Sequence, residues 1–276
     1  MKGKLSVTKI LVYVVLIGGA IIFLMPLVWM VSTALKSGEA IFQYPPKFIP
    51  EELHWENFKL ALTILPFGRF FLNTIVIVGL SLIGTVLSCA MVGFGFARLR
   101  FPGRDVLFFI VLATMMIPYP VTTIPVFIMF RKMGWIDTFL PLTVPAFFGN
   151  AFFIFLLRQF YLSIPMELDD AAKIDGCSSW QIFCNIHLPL IKPALITMAV
   201  LHFIGAWNDF FGPLIYLTSQ RNYTLALGLA TFRGMYSTDW ELLMAASLVV
   251  ITPAIIVFFF AQRKIIEGIT LTGMRG

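Results

Sequence analysis

Charge is what this chain of 276 residues has least of. Asp, Glu, Lys and Arg together make up 12% of it against 59% hydrophobic residues, and the mean hydropathy is +0.91. That excludes an ordinary soluble domain and places the chain among integral membrane proteins. Cysteine is scarce as well. Cys89 falls in an apolar run, while Cys177 and Cys184 lack metal-ligand spacing, so neither a disulfide nor a metal site is expected. Also missing are a His-Glu-x-x-His helix, a Gly-x-x-x-x-Gly-Lys nucleotide loop and a Gly-x-Ser-x-Gly elbow. Each absence removes an enzyme class, and no catalytic residue or bound cofactor is expected. Without a nucleotide loop, any energy from nucleotide hydrolysis must come from another chain. An ion-coupled carrier ordinarily shows internal repeats and several ionisable groups inside its spans. Here no repeat is visible, and the apolar runs hold only His202 and Asp209.

What is present is a series of apolar runs, at 10–35, 70–97, 106–130, 138–157, 193–217 and 242–261. Each is long enough to cross roughly 30 Å of hydrocarbon as a helix. The first follows Lys2, Lys4 and Lys9 in the manner of a secretory signal, but it is about twice the usual apolar length and no small-residue cleavage site closes it. It reads as a span kinked at Pro26. The expected fold class is therefore an all-α integral membrane protein with six transmembrane helices and both termini on one side. The net charge of +6 is spread over short segments between the runs, which marks topology more than a nucleic-acid surface. The compact cluster Arg98, Arg100 and Arg104 places the N-terminus and the segment after the fourth run in the cytoplasm.

Prolines crowd the third run (Pro118, Pro120, Pro125) and interrupt the fourth (Pro145), fifth (Pro213) and sixth (Pro253). Bent helices are tolerated where neighbours or a wet cavity satisfy the freed carbonyls, so these spans are expected to bend around a path. In the fifth run His202, Gly205, Ala206, Asp209 and Pro213 share one helical face with Asn208 beside it. An acid inside a span is a functional candidate by default, and a structural hydrogen bond is the competing use. The candidate path residues are His202, Asn208 and Asp209.

The polar island at 163–193 reads as two short helices joined by a turn. Ser163 is placed to cap the first, Glu167, Asp169 and Asp170 to favour its N-terminus, and Leu168, Ala171 and Ala172 to share a face. Gly176 ends it, Ser178 and Gln181 have capping-box spacing for a second helix, and Pro189 is expected to stop that helix. By periodicity alone this is an amphipathic hairpin lying on a membrane surface. The spacing Asp170-Ala171-Ala172, Gly176, Ile186-x-Leu188-Pro189 adds more, because it resembles the cytoplasmic loop of bacterial ABC importer permeases, whose pattern is Glu-Ala-Ala, Gly and Ile-x-Leu-Pro at the same offsets. The one departure is Asp170, a shorter acid than the usual glutamate.

Further segments resemble the carbohydrate, maltose-type branch of that family, as the second membrane subunit of an oligosaccharide uptake system. They are Trp207-Asn208-Asp209, Ser237-Thr238-Asp239-Trp240, the turn Phe101-Pro102-Gly103 and the ending Gln262-Arg263 with Glu267-Gly268-Ile269-Thr270. The resemblance implies a type I importer permease fold, with 1–69 as N-terminal span and outer loop, 70–262 as the permease core and 263–276 as a cytoplasmic tail. It implies that Glu167, Asp170, Ala171, Ala172, Gly176, Ile186, Leu188 and Pro189 couple the chain to an ATPase. The implied partners are an ATPase dimer that uses ATP, a second permease subunit, an extracytoplasmic sugar-binding protein and the sugar, in the bacterial cytoplasmic membrane. Another solute, such as glycerol phosphate, is the alternative cargo within the same class.

Overall fold

The computed structural model describes residues 7–233 and 238–273, with backbone alone for Val7 and for 263–273. Lys2, Lys4 and Ser237 lie outside the described residues, and of the ending the structure describes only helical backbone as far as 273. The chain divides into two compact units, residues 1–68 with 228–252 and residues 69–227 with 253–276.

The first unit is built on α1 (Val7–Ala34), an unbroken apolar helix that carries Pro26 within it. Its side chains are exposed on every side as far as Pro26, as suits a helix surrounded by lipid, and become partly covered from Leu27 onward. At its last turn the chain becomes buried and polar. Ser32 donates its hydroxyl to the Phe48 carbonyl, and Lys36 Nζ donates to the Lys47 carbonyl at 2.5 Å while lying 4.7 Å from the centre of the Trp29 ring. Asn57 Nδ2 donates to the carbonyls of Ala34 (3.0 Å) and Lys36 (2.8 Å). These bonds fold the polar segment, with its short helices α2 (Gly38–Ile41) and α3 (Glu56–Ile64), back onto the end of α1.

The second unit takes most of α4 (Phe67–Arg98), followed by α5 (Arg104–Thr114) and α6 (Tyr119–Lys132). After α7 (Leu140–Thr143) and a 3-10 turn at Val144–Phe148 comes α8 (Ala151–Ser163). A polar hairpin follows, of α9 (Glu167–Ile174), α10 (Ser179–Ile182), a π-helical turn (Phe183–His187) and α11 (Leu188–Leu190). Then come α12 (Lys192–Trp207) and α13 (Phe211–Tyr216), while α14 (Leu225–Ala230) and the long α15 (Trp240–Gly273) are each shared between the two units. Among the described residues four helical stretches are long and apolar enough to cross a membrane, and two bent pairs, each counted as one span, bring the number to six.

The breaks correct two expectations. The third span is not one helix: α5 and α6 meet at 97°, because Pro118 disfavours helix at Ile117 and the backbone of Pro118 and Pro120 offers no N–H. The fifth run does not continue to 217. Its helix stops at Trp207, and the chain turns before Pro213 instead of at it. Pro26 and Pro253 interrupt nothing, since α1 and α15 run through them.

The core of the second unit joins α4, α8, the hairpin and α12 through Phe94, Leu157, Tyr161, Phe183 and Met198. Away from this core, Asp137 closes the loop after α6. Its carboxylate accepts from the amides of Thr218 (3.0 Å) and Ser219 (2.8 Å) and from the Ser219 hydroxyl. Those bonds, the hydroxyl first, hold its pKa well below the ordinary carboxylate range. Where α4 meets the 3-10 turn there is no space for a side chain at Gly84, since a Cβ there sits 2.6 Å from the Phe147 ring. Gly84→Ala is therefore expected to cost about 1–3 kcal/mol and lower the melting temperature in detergent. Gly95→Ala, with no atom within 4 Å of its Cβ, is the matched change expected to be neutral or slightly stabilising.

Candidate functional site

The hairpin forms as its local chemistry demands, with two corrections. Ser178 and Gln181 make the reciprocal capping box, and Gly176 turns the chain at φ 82 between the two arms. Ser163, however, is the last residue of α8, where its hydroxyl donates to the Phe160 carbonyl at 2.7 Å, and the residue before α9 is Met166. Pro189 does not stop the second arm either. The preceding turn widens to π geometry, with the Leu188 N–H reaching the Phe183 carbonyl, and this wider turn accommodates the ring until the chain breaks at Ile191.

The face expected for Leu168, Ala171 and Ala172 is split. Asp169 and Ala172 point inward, while Leu168 and Ala171 are exposed together with Glu167, Asp170 and Gly176. The outer surface of α9 thus carries two acids, an apolar strip and a small residue that allows close backbone approach. Ile186 is partly buried and packs with Leu188 against the core, with Pro189 exposed beside them.

What holds the hairpin is a buried ionic cluster that sequence reasoning did not assemble. Arg98, the last residue of α4, donates from Nη2 to the carbonyls of Tyr161 (2.6 Å) and Ile164 (2.5 Å) at the end of α8. Its Nε lies 3.8 Å from Asp169 Oδ2, with both side chains almost fully buried. Asp169 Oδ1 pairs with His187 Nε2 at 2.7 Å, and His187 is completely buried beneath the rings of Phe94 and Tyr161. Arg98 satisfies carbonyls that a helix end otherwise leaves open, and its charge suits the negative end of α8. The cluster therefore ties α4, α8 and both arms of the hairpin into one body. The available signal was Asp169 three residues before Ala172, which puts an acid on the inward face.

The second feature is a cavity of about 360 Å³ between α4, the α7 to α8 segment and α12. His202 and Asp209 line it, with Thr74, Ser81 and Thr224 as further polar groups and Phe153 among the apolar ones. His202 bonds Ser81 through Nε2 at 3.0 Å and approaches Thr85 through Nδ1 at 3.4 Å. Asp209 Oδ1 accepts from the Gly212 amide at 3.1 Å, and Gly212 approaches so closely that a Cβ there falls 2.6 Å from Oδ2. Asp209 thus braces the first turn of α13 through a local bond, not one to a neighbouring helix, and its residue also lines the cavity. Asn208 is not among the lining residues. It ends α12 and turns its amide back onto the Ile204 carbonyl at 2.8 Å.

Residues 89–270, well over half the chain, match the family of binding-protein-dependent transport system inner membrane components. The chain belongs to this family of ABC importer permeases. Among its relatives is the arabinooligosaccharides transport system permease protein AraQ of Halalkalibacterium halodurans, 38% identical over 83% of this chain and 82% of that protein. The diacetylchitobiose uptake system permease protein NgcG of Streptomyces coelicolor is 31% identical over 94% of this chain and 86% of that one. A crystal structure of a bacterial ABC transporter that imports the acidic polysaccharide alginate contains a chain that superimposes with a TM-score of 0.82 and 25% identity, covering 95% of this chain and 98% of that one. This ABC permease is a membrane protein and a transporter subunit.

Removing one member of the buried cluster leaves the others uncompensated, which costs about 3–5 kcal/mol. Asp169→Ala is expected to lower the melting temperature of the purified permease and expose the hairpin to protease. Asp170→Ala, one residue away and exposed, is expected to change neither.

Proposed function

We propose that this chain is one of two permease subunits of an importer for a neutral oligosaccharide, powered by ATP hydrolysis in a partner ATPase dimer and supplied by an extracytoplasmic binding protein. The observation that carries the coupling role is the hairpin itself, an exposed helical surface on a turn keyed into the membrane helices by Arg98, Asp169 and His187. Glu167, Asp170, Ala171 and Gly176 form the face seated against the ATPase, while Ala172, Ile186, Leu188 and Pro189 maintain the shape of the two arms. Linkage requires the ATPase states to differ in their contacts with this face. On this reading the hairpin and both termini are cytoplasmic, and the second permease is a relative of this chain.

A neutral sugar is favoured over an anionic cargo such as glycerol phosphate or a uronate chain by the cavity chemistry. It presents Asp209, His202 and three hydroxyl side chains and includes no Lys or Arg among its lining residues. A carboxylate repels an anion, whereas it accepts hydrogen bonds from sugar hydroxyls. His202 and Asp209 are the path residues in this proposal. Asn208 is left out of it.

Two measurements test these assignments. Valine at Gly176 places a branched side chain at positive φ with no neighbouring atom to clash, so it strains the turn alone. Gly176→Val is expected to leave the protein in the membrane while abolishing coupled sugar uptake, and wild-type uptake by this variant removes the hairpin from the coupling role. Asp209→Asn keeps an oxygen for the Gly212 amide but loses the charge. Uptake by the assembled complex is expected to fall about tenfold, the scale of one hydrogen bond to a charged group. Failure to assemble assigns Asp209 to structure alone.

A further inference from the structure

The turn between α4 and α5 holds a basic cluster that neither the coupling role nor the cavity uses. A shallow cleft of about 420 Å³ is lined there by Arg100, Phe101, Gly103, Arg104, Asp105 and Val106. Arg104 spends Nε on Asp105 Oδ1 at 2.9 Å and reaches the Leu99 carbonyl at 3.5 Å. Arg100 is exposed and has no ion pair among the described residues. Arg158 of α8 is near enough to feel the charges of both Arg104 and Asp105. It is held in place by the Phe108 ring, 4.2 Å away, and by the Phe96 carbonyl, and no carboxylate lies within ion-pair distance of it among the described residues. Arg100 and Arg104 thus line the cleft with one carboxylate, an excess of one positive charge to which Arg158 adds from the side. Guanidinium forks match phosphate oxygens in geometry as well as charge.

The surroundings identify the kind of phosphate. From Val106 in the cleft wall, α5 continues with the exposed Phe109 and Ile110. These apolar side chains lead away from the arginines in the direction an acyl chain takes from its headgroup. Arg98, beside the turn, bonds the residues that begin the hairpin, so the cleft lies on the same membrane face as the hairpin. We propose that this cleft binds the headgroup of an anionic phospholipid of that leaflet, with its tails along α5. The proposal rests on the membrane topology above, and on neither the coupling role nor the cargo.

The test uses the assembled importer, delipidated in detergent and titrated with mixed micelles of phosphatidylglycerol or of phosphatidylcholine, with lipid retained on this chain read by native mass spectrometry. Wild type is expected to retain phosphatidylglycerol and not phosphatidylcholine. The double variant Arg100→Gln, Arg104→Gln is expected to retain at least about tenfold less, the scale of two lost cationic contacts at a membrane surface. Arg100→Gln alone removes no internal bond and should show a smaller loss in a protein of unchanged melting temperature. Arg131→Gln, at the end of α6, should behave as wild type. Equal retention of both lipids, or undiminished retention by the double variant, overturns the proposal. Displacement of phosphatidylglycerol by inorganic phosphate also overturns it, since that marks a site for free anions. Sugar uptake, measured on the same variants, reports separately on the importer function.

Discussion

The pairing of Asp169 with Arg98 and His187 is the constraint on which the proposed coupling surface depends. An eight-residue helix such as α9 has no stability of its own in water. It exists because an inward acid is clamped between an arginine from the membrane helix α4 and a histidine from the opposite arm of the hairpin. The clamp also settles what a push on the hairpin moves. With Arg98 bonded to the end of α8, a displacement of α9 is a displacement of α4 and α8 together. Coupling by rigid-body motion needs such a joint, and a flexible loop would absorb the displacement instead.

The cavity follows from a different constraint, the breaks in helices that a membrane ordinarily keeps whole. In hydrocarbon an interrupted helix must find partners for its freed backbone groups. Asp209 supplies one by accepting the Gly212 amide, and Ser88 adds to the packing by donating its hydroxyl to the Ala146 carbonyl at 3.0 Å. Polar groups near such breaks also line the space the breaks leave open. That is why one carboxylate both braces a helix start and faces a cavity. The absence of cations from the cavity lining distinguishes it from the basic cleft at the α4 to α5 turn.

Much of this was legible in the sequence, and the rest failed for identifiable reasons. The six spans follow from apolar length, and the hairpin follows from Gly176, the Ser178 and Gln181 box and the spacing of Ala171, Ala172, Ile186, Leu188 and Pro189. Helix ends were read less well. Ser163 and Pro189 have the right residue types for a cap and a stop, but α8 runs on to Ser163, whose hydroxyl turns back to the Phe160 carbonyl, and a π turn makes room for Pro189. The clamp was hidden because its members lie far apart in the chain. Arg98 reads as a topology signal and His187 as the variable position of a motif. The Asp137 clamp was hidden for the same reason, since Ser219 is distant in sequence.

The central claim is that the outer surface of α9 meets an ATPase. Ile174, 87% exposed at the end of α9, is the position from which to ask. A photo-crosslinking side chain placed there, in the chain expressed with its native partners, is predicted to capture an ATP-binding subunit with a yield that differs between the ATP-bound and ATP-free states. Crosslinking to lipid alone, or a yield indifferent to ATP while binding-protein-driven uptake remains normal, contradicts the account.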